Sequence, residues 1–342
     1  MLDESTLGSC QEVPVLSWSR ISCEDGIADL LLALTSSHGI FVIEGAPVDA
    51  ELMASTVATM RSFFELSLDE KVTRYSSVDR ARRGYSPVLT ENFASLVGIK
   101  GAANDCVEKF RIGPPLLCQR RDPSDDYFFG KAGRLHFFHN VPGQPTDALE
   151  KWYKVIESIA AHLVHLAELA LELPCGSLTG SEAFQSKTHT SILSANYYGL
   201  RVEAEQETVL VAPHTDVSVL TIIAATGEGL EVCINPGGGP DDPPVFMPVP
   251  LDRPGPLLIV NVGDCFSGLA LVQGRVHSTV HRVRSVAAAD LDLAQARMSL
   301  AFFVAPRHDA VLGWVGDSDA TYDIWRRRKI KRAMLQLKTT PR

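Results

Sequence analysis

Between Ser191 and Val304 the sequence breaks into short apolar runs separated by Gly, Pro and Asp, among them Val217–Ala224, Leu230–Ile234, Leu257–Val262 and Met298–Val304. Short runs with turn residues between them predict strands rather than helices, and many such strands in succession predict a β sandwich or barrel. The Pro- and Gly-rich stretch Asn235 to Pro244 reads as a long hairpin loop inside this region. Immediately upstream the periodicity differs. Trp152, Val155, Ile156, Ile159, Leu163, Leu166, Ala170 and Leu173 recur at three- and four-residue steps, so a long amphipathic helix is expected from Asp147 to Leu173, ended by Pro174.

The amino-terminal third mixes both patterns. Ser22-Cys23-Glu24-Asp25 has the form of a capping box ahead of Ile27, Leu30, Leu31 and Leu34, Gly39 stops that helix, and Ile40–Ile43 reads as a buried strand. A helix is expected from Asp49 past Phe63 and Phe64, and a shorter one after the Ser67 cap. Residues 76–130 are expected to be loops. The tail from Asp323 to Leu337 reads as a basic helix whose solvated face carries Arg326 to Lys329, with Ile330, Met334 and Leu337 inward. The predicted organisation is a mixed α/β leader (1–130), a support helix and linker (131–190), a β core (191–310) and a closing helix (311–342).

At 342 residues and 45% hydrophobic the chain can bury a sizeable core, which removes disordered and collagen-like classes. A net charge of −9 argues against a nucleic-acid-coating protein. Seven scattered cysteines contain no Cys-x-x-Cys pair, so neither a zinc knuckle nor a disulfide framework is indicated, and reduced thiols are expected. Acids in the first ten residues do not suit a signal peptide, and no run of about 18 apolar residues suggests a membrane span. A soluble, cytoplasmic protein without nucleic-acid or membrane partners is the expectation; oligomeric state is not legible.

The β region concentrates metal-binding chemistry. In an extended strand His214 and Asp216 would share a face, offering an imidazole and a carboxylate to one ion. A further histidine would complete the two-histidine, one-carboxylate face that leaves open positions on non-haem Fe(II). His277 and His281 both qualify by spacing. Arg297 and Ser299 flank Met298 as a second same-face pair, and an arginine in an apolar strand calls for a carboxylate. His136 and His139 read as surface or pocket residues, and His162 and His165 as flanking a helical stripe. Arg80, Arg82, Arg83 and Arg111 are either solvated or within reach of an acidic substrate.

With these residues in order the chain resembles the isopenicillin N synthase-like branch of the Fe(II)/2-oxoglutarate-dependent oxygenases. The matching stretches are Asn196-Tyr197-Tyr198, His214 to Thr221, Gly229 to Val232, Val260 to Asp264, His281-Arg282-Val283 and Arg297-Met298-Ser299, with Gly39 to Val42 and Arg83-Gly84-Tyr85 similar to the leader. The resemblance implies an α+β fold with a double-stranded β-helix (jelly-roll) core. It makes His214, Asp216 and His281 the iron ligands and disfavours His277. It places Arg297 and Ser299 on the distal carboxylate of 2-oxoglutarate, with Tyr198 and Asn196 nearby. The implied activity is hydroxylation, desaturation or ring closure of a small natural-product or amino-acid-derived substrate, with O2 consumed and succinate and CO2 released. The alternatives are an oxidase that uses O2 without a keto acid, as isopenicillin N synthase does, and a non-catalytic jelly-roll metal-binding protein. Departures are an enlarged turn at Ala287 to Ala294, the extension at Asn235 to Pro244, and Phe246 where many relatives carry Trp.

Overall fold

The computed structural model describes residues 12–76, 83–92, 103–115, 140–179, 184, 189–199, 208–235, 243–285 and 296–329. Strand β1 (Val15–Ser17) leads into α1 (Trp18–Ile21) and, after a 3-10 turn, α2 (Ile27–Leu34). The expected capping box does not form. Ser22 closes α1 and α2 begins at Gly26 with no side-chain cap, because backbone bonds from Cys23 to Arg20 and from Gly26 to Cys23 already wind the chain there. Next come β2 (Ile40–Glu44), α3 (Ala50–Phe64) and α4 (Leu68–Tyr75). Asp49 caps α3 by accepting from the Glu51 and Leu52 amides, and Ser67 caps α4 through the Glu70 amide. Gly39 adopts φ +56°, and a Cβ there would lie 2.3 Å from the His277 carbonyl oxygen, so this close approach requires glycine.

The loop expectation for residues 76–130 fails at two strands, β3 (Gly84–Ser86) and β4 (Glu108–Ile112). β4 is paired on both sides, by β3 and by β5 (Ile192–Tyr197), so its hydrogen bonds come from segments remote in sequence. The long helix α5 (Gln144–Ala170) starts before Asp147, with Pro145 in its first turn, and stops short of Leu173, where Glu172 turns to φ 51°. The remaining strands are β6 (Val209–His214), β7 (Leu220–Ala225), β8 (Leu230–Cys233), β9 (Phe246–Pro248), β10 (Leu257–Val262), β11 (His281–Arg284) and β12 (Met298–Phe303). A short helix α6 (Asp264–Ser267) follows β10, and α7 covers 322–329. Ends of the expected hairpin are in place, with β8 antiparallel to β9 and Asn235 bonded to Pro243 and Val245. Ala287 to Ala294, Arg80, Arg82, His136, His139, Ile330, Met334 and Leu337 lie outside the described residues.

These strands form an eight-stranded sheet, ordered β1-β2-β10-β7-β12-β5-β4-β3, and a four-stranded sheet, β6-β11-β8-β9. Strands β5 to β12 divide equally between the two, as in an α+β protein with a jelly-roll core. The large sheet is covered on both faces, which is why its strands read as continuous apolar runs. Alternation sorts them. Phe41, Ile43, Leu258, Val260, Leu300 and Phe302 pack in a cluster with α5 residues such as Trp152 and Ile156, whereas Ile40, Val42, Ile259, Ile223 and Ala301 join Val211, Leu230 and Val283 from the small sheet. The second cluster stops short of filling the gap between the sheets.

Candidate active site

That gap is a cavity lined by residues of both sheets. On the small sheet His214 and His281 are register partners across β6 and β11, with ring centroids 4.3 Å apart. Asp216 joins them by a route other than strand alternation. β6 ends at His214, and the chain beyond it bends until Oδ2 of Asp216 accepts from the Thr221 hydroxyl at 2.6 Å and the Asn261 amide at 3.1 Å. Nε2 of His214 then lies 3.8 Å from Oδ1 of Asp216, and Nε2 of His281 lies 4.0 Å from Oδ2. All three donor atoms fall within 4.8 Å of one another, and all three residues are buried. His277, exposed and outside the strand, is not part of this group.

Neighbouring contacts fix how these donors face. Nδ1 of His214 is 2.9 Å from the Ala212 carbonyl and Nδ1 of His281 is 3.1 Å from that of Thr279, so each ring donates through Nδ1 and turns an Nε2 lone pair to the shared point. Burial, followed by the adjacent His281 ring, pushes His214 down to about 3. Burial works to raise Asp216, but the two imidazoles and the Thr221 and Asn261 bonds outweigh it and hold the carboxyl below its ordinary range. A lowered His214 and an ionised Asp216 suit a divalent metal, which binds neutral imidazole and carboxylate, and the N2O donor set fits non-haem Fe(II).

The facing wall belongs to the large sheet. Arg297, just before β12, has its Nε 3.3 Å from the Gly227 carbonyl and its guanidinium 4.7 Å from the Tyr198 ring centroid. Its Nη1 is buried and has no hydrogen-bond partner among the described residues, an arrangement that fits an incoming carboxylate. Ser299 accepts from the Asn196 amide at 3.1 Å, and Asn196 in turn accepts from Ser194 at 2.7 Å. Tyr198 lies past the end of β5, half-buried on the cavity wall, while Tyr197 points the other way and stacks on Phe64. The seven residues that the resemblance places at the site, Asn196, Tyr198, His214, Asp216, His281, Arg297 and Ser299, line one cavity.

Other sequence candidates separate. His162 packs on Trp18, and His165 lies on the exposed side of α5 near Glu168. Arg83 is buried and donates to the Ile112 carbonyl, away from the cavity, whereas Arg111 is on the cavity wall. Lys109 is there too, and sequence reasoning missed it. The signal was present as the alternation Lys109, Phe110, Arg111, Ile112, which puts two cations on the face opposite two core residues.

Two family models match the chain. The first, described as non-haem dioxygenase in morphine synthesis N-terminal, covers residues 13–130, and the second, the 2OG-Fe(II) oxygenase superfamily, covers 189–306. The second span contains the whole His214, Asp216 and His281 group together with Arg297 and Ser299.

The chain belongs to the 2OG-Fe(II) oxygenase superfamily.

Curated relatives include gibberellin 20 oxidase 2 of Oryza sativa subsp. indica, 28% identical over 82% of this chain. That match spans 62% of the relative, so the chain covers less than two thirds of its length. Kihadalactone A synthase LFS of Citrus sinensis is 26% identical over 91% of this chain and 87% of its own. Among solved structures, the dioxygenase for auxin oxidation in rice superposes with a TM-score of 0.64 at 22% identity, over 94% of this chain and 96% of that one, a likeness of fold.

Proposed function

We propose that the protein is an Fe(II)- and 2-oxoglutarate-dependent oxygenase acting on a small organic substrate. One observation carries this reading: three buried metal donors and a buried, unpartnered arginine nitrogen face the same cavity. His214, Asp216 and His281 would hold the metal, and the single carboxylate would offset part of its charge. Arg297 and Ser299 hold the far carboxylate of 2-oxoglutarate, Asn196 aligns the Ser299 hydroxyl, and Tyr198 covers the guanidinium face. Bound there, iron and 2-oxoglutarate supply the activation of O2 for oxidising an unactivated C–H bond, with succinate and CO2 as co-products. The protein's own part is orientation and exclusion of water, and apolar Val211, Leu230 and Val283 line the wall beside the histidines.

Relatives named for gibberellin and kihadalactone A support a small natural-product substrate, and the choice among hydroxylation, desaturation and ring closure depends on where the substrate is held. Free cysteines at positions 23, 106, 175, 233 and 265 support a reducing, cytoplasmic setting. No helix among the described residues is long and apolar enough to cross a membrane.

The test is succinate formation from 2-oxoglutarate by the full chain with a panel of small natural products. Succinate that requires Fe(II) and is lost in Asp216→Ala is expected. Substrate-dependent O2 uptake without 2-oxoglutarate would replace this reading with the keto-acid-independent oxidase. Bound iron with neither activity would replace it with a non-catalytic metal-binding protein.

A further inference from the structure

Beyond the metal and Arg297, the cavity wall carries a second cationic corner. Lys109 and Arg111 are 5% and 8% exposed, and both line the cavity. Glu91 receives both: Arg111 grips it with two bonds of 2.6 Å, and Lys109 Nζ donates at 2.9 Å. Two cations are thus buried against the Glu91 carboxylate. Asp105, also buried, is the other acid whose charge reaches Lys109. Neither Glu91 nor Asp105 lines the cavity. The acids therefore stand behind the wall while the cations form it. Burial and the Arg111 charge push the Lys109 ammonium down to about 8, against the opposing pull of Glu91 and Asp105.

Register fixes where this corner lies. Lys109 pairs with Asn196, and Asn196 with Ser299, so the three form one row across β4, β5 and β12. Arg111, Ser194 and Ala301 form the next row. Two strand spacings and one residue pair place the Lys109 and Arg297 backbones roughly 12 Å apart. Their head groups have separate partners, Glu91 for Lys109 and Gly227 and Tyr198 for Arg297. A 2-oxoglutarate anchored on Arg297 leaves this corner to another ligand. The segment before β4 runs beside β6 through the bond from the Cys106 amide to the Leu210 carbonyl, which brings Lys109 within electrostatic range of His214.

We infer that Lys109 and Arg111, held in place by Glu91, receive the carboxylate of an acidic substrate at the end of the cavity away from Arg297. The inference rests on the proposed function, because it assigns that end to the substrate of the same site. Charge-assisted bonds to a carboxylate, with apolar Ile223, Ala301 and Phe303 along the adjoining wall, define an organic acid with an apolar body. Holding the acid group at a fixed distance from the three metal donors selects which carbon is presented to them.

The test uses the full chain loaded anaerobically with Fe(II) and 2-oxoglutarate, and calorimetric titration with phenylacetate, cinnamate and decanoate, each beside its primary amide. The acids should bind more tightly than their amides. Lys109→Met should weaken acid binding by about tenfold or more while 2-oxoglutarate affinity is retained. Lys109→Arg, which keeps a cation at this position, should retain the preference for acids that Lys109→Met loses, a rescue that general misfolding does not mimic. Amides binding as well as acids, or no acid outbinding its amide, would overturn the inference. So would loss of 2-oxoglutarate rather than of the acid in Lys109→Met, which would give the corner to the co-substrate. Failure of wild type to bind 2-oxoglutarate at all would instead strike the proposed function.

Discussion

Thr221 donates its hydroxyl to Oδ2 of Asp216 at 2.6 Å and thereby sets which carboxylate edge the two imidazoles meet. Ser218 lies 2.8 Å from the same hydroxyl and orients it. Thr221→Val keeps the shape and removes the bond. It is expected to weaken Fe(II) binding by about 10–100-fold, measured by anaerobic calorimetry, with little change in the unfolding midpoint. Unchanged affinity would mean that Asn261 alone orients the carboxylate.

The closing helix reaches the same loop from outside. Lys329 Nζ lies 2.8 Å from Oδ2 of Asp264, which also accepts from Thr215, between His214 and Asp216. Lys329→Met leaves a buried carboxylate short of one partner and should lower unfolding stability by about 1–3 kcal/mol. Denaturant titration of the apoprotein reads this directly, and no loss would mean that Thr215 suffices.

Alternation along β12 predicts opposite consequences for neighbours. Phe302 is 1% exposed and meets the Tyr153 ring edge-on at 5.0 Å, on the helical side of the sheet. Phe302→Ala should cost about 3–5 kcal/mol. Ala301 faces the cavity, so Ala301→Val should disturb ligand binding more than stability. Thermal and ligand titrations of the two variants separate the faces.

His308 gives the fold a specific acid response. Burial, opposed by Asp323 and aided by Arg326, pushes its imidazole down to about 4. Between that value and the ordinary range of about 6.5 the unfolded chain binds a proton that the folded chain does not, so stability falls as pH drops through this window. The slope is at most about 1.4 kcal/mol per pH unit from this residue. His308→Asn should flatten the loss, measured as unfolding midpoints from pH 7 to about pH 4.

The strands of the jelly roll were legible because their apolar runs and turn residues are local, and the caps at Asp49 and Ser67 because each is a contact within one turn. β3 and β4 were not, since each is made by partners far along the chain. The same reason hid Lys109, whose position beside Asn196 exists only through β4–β5 register. His214, Asp216 and Arg297 were readable as residue types in order. What the local pattern misstated was how Asp216 arrives, through a bend held by Thr221 and Asn261 rather than along a strand. Spacing left His277 and His281 equivalent, and pairing of His281 with His214 distinguishes them.

In the proposed function, iron held by His214, Asp216 and His281 shares its cavity with 2-oxoglutarate held by Arg297. The most direct test is to load the full chain with Fe(II) without O2, titrate 2-oxoglutarate and follow the weak visible charge-transfer band of the chelated keto acid. A saturable band, shifted to at least about tenfold higher concentration in Arg297→Ala while iron stays bound, is the predicted result. Bound iron without a band, or a band indifferent to Arg297→Ala, would contradict it.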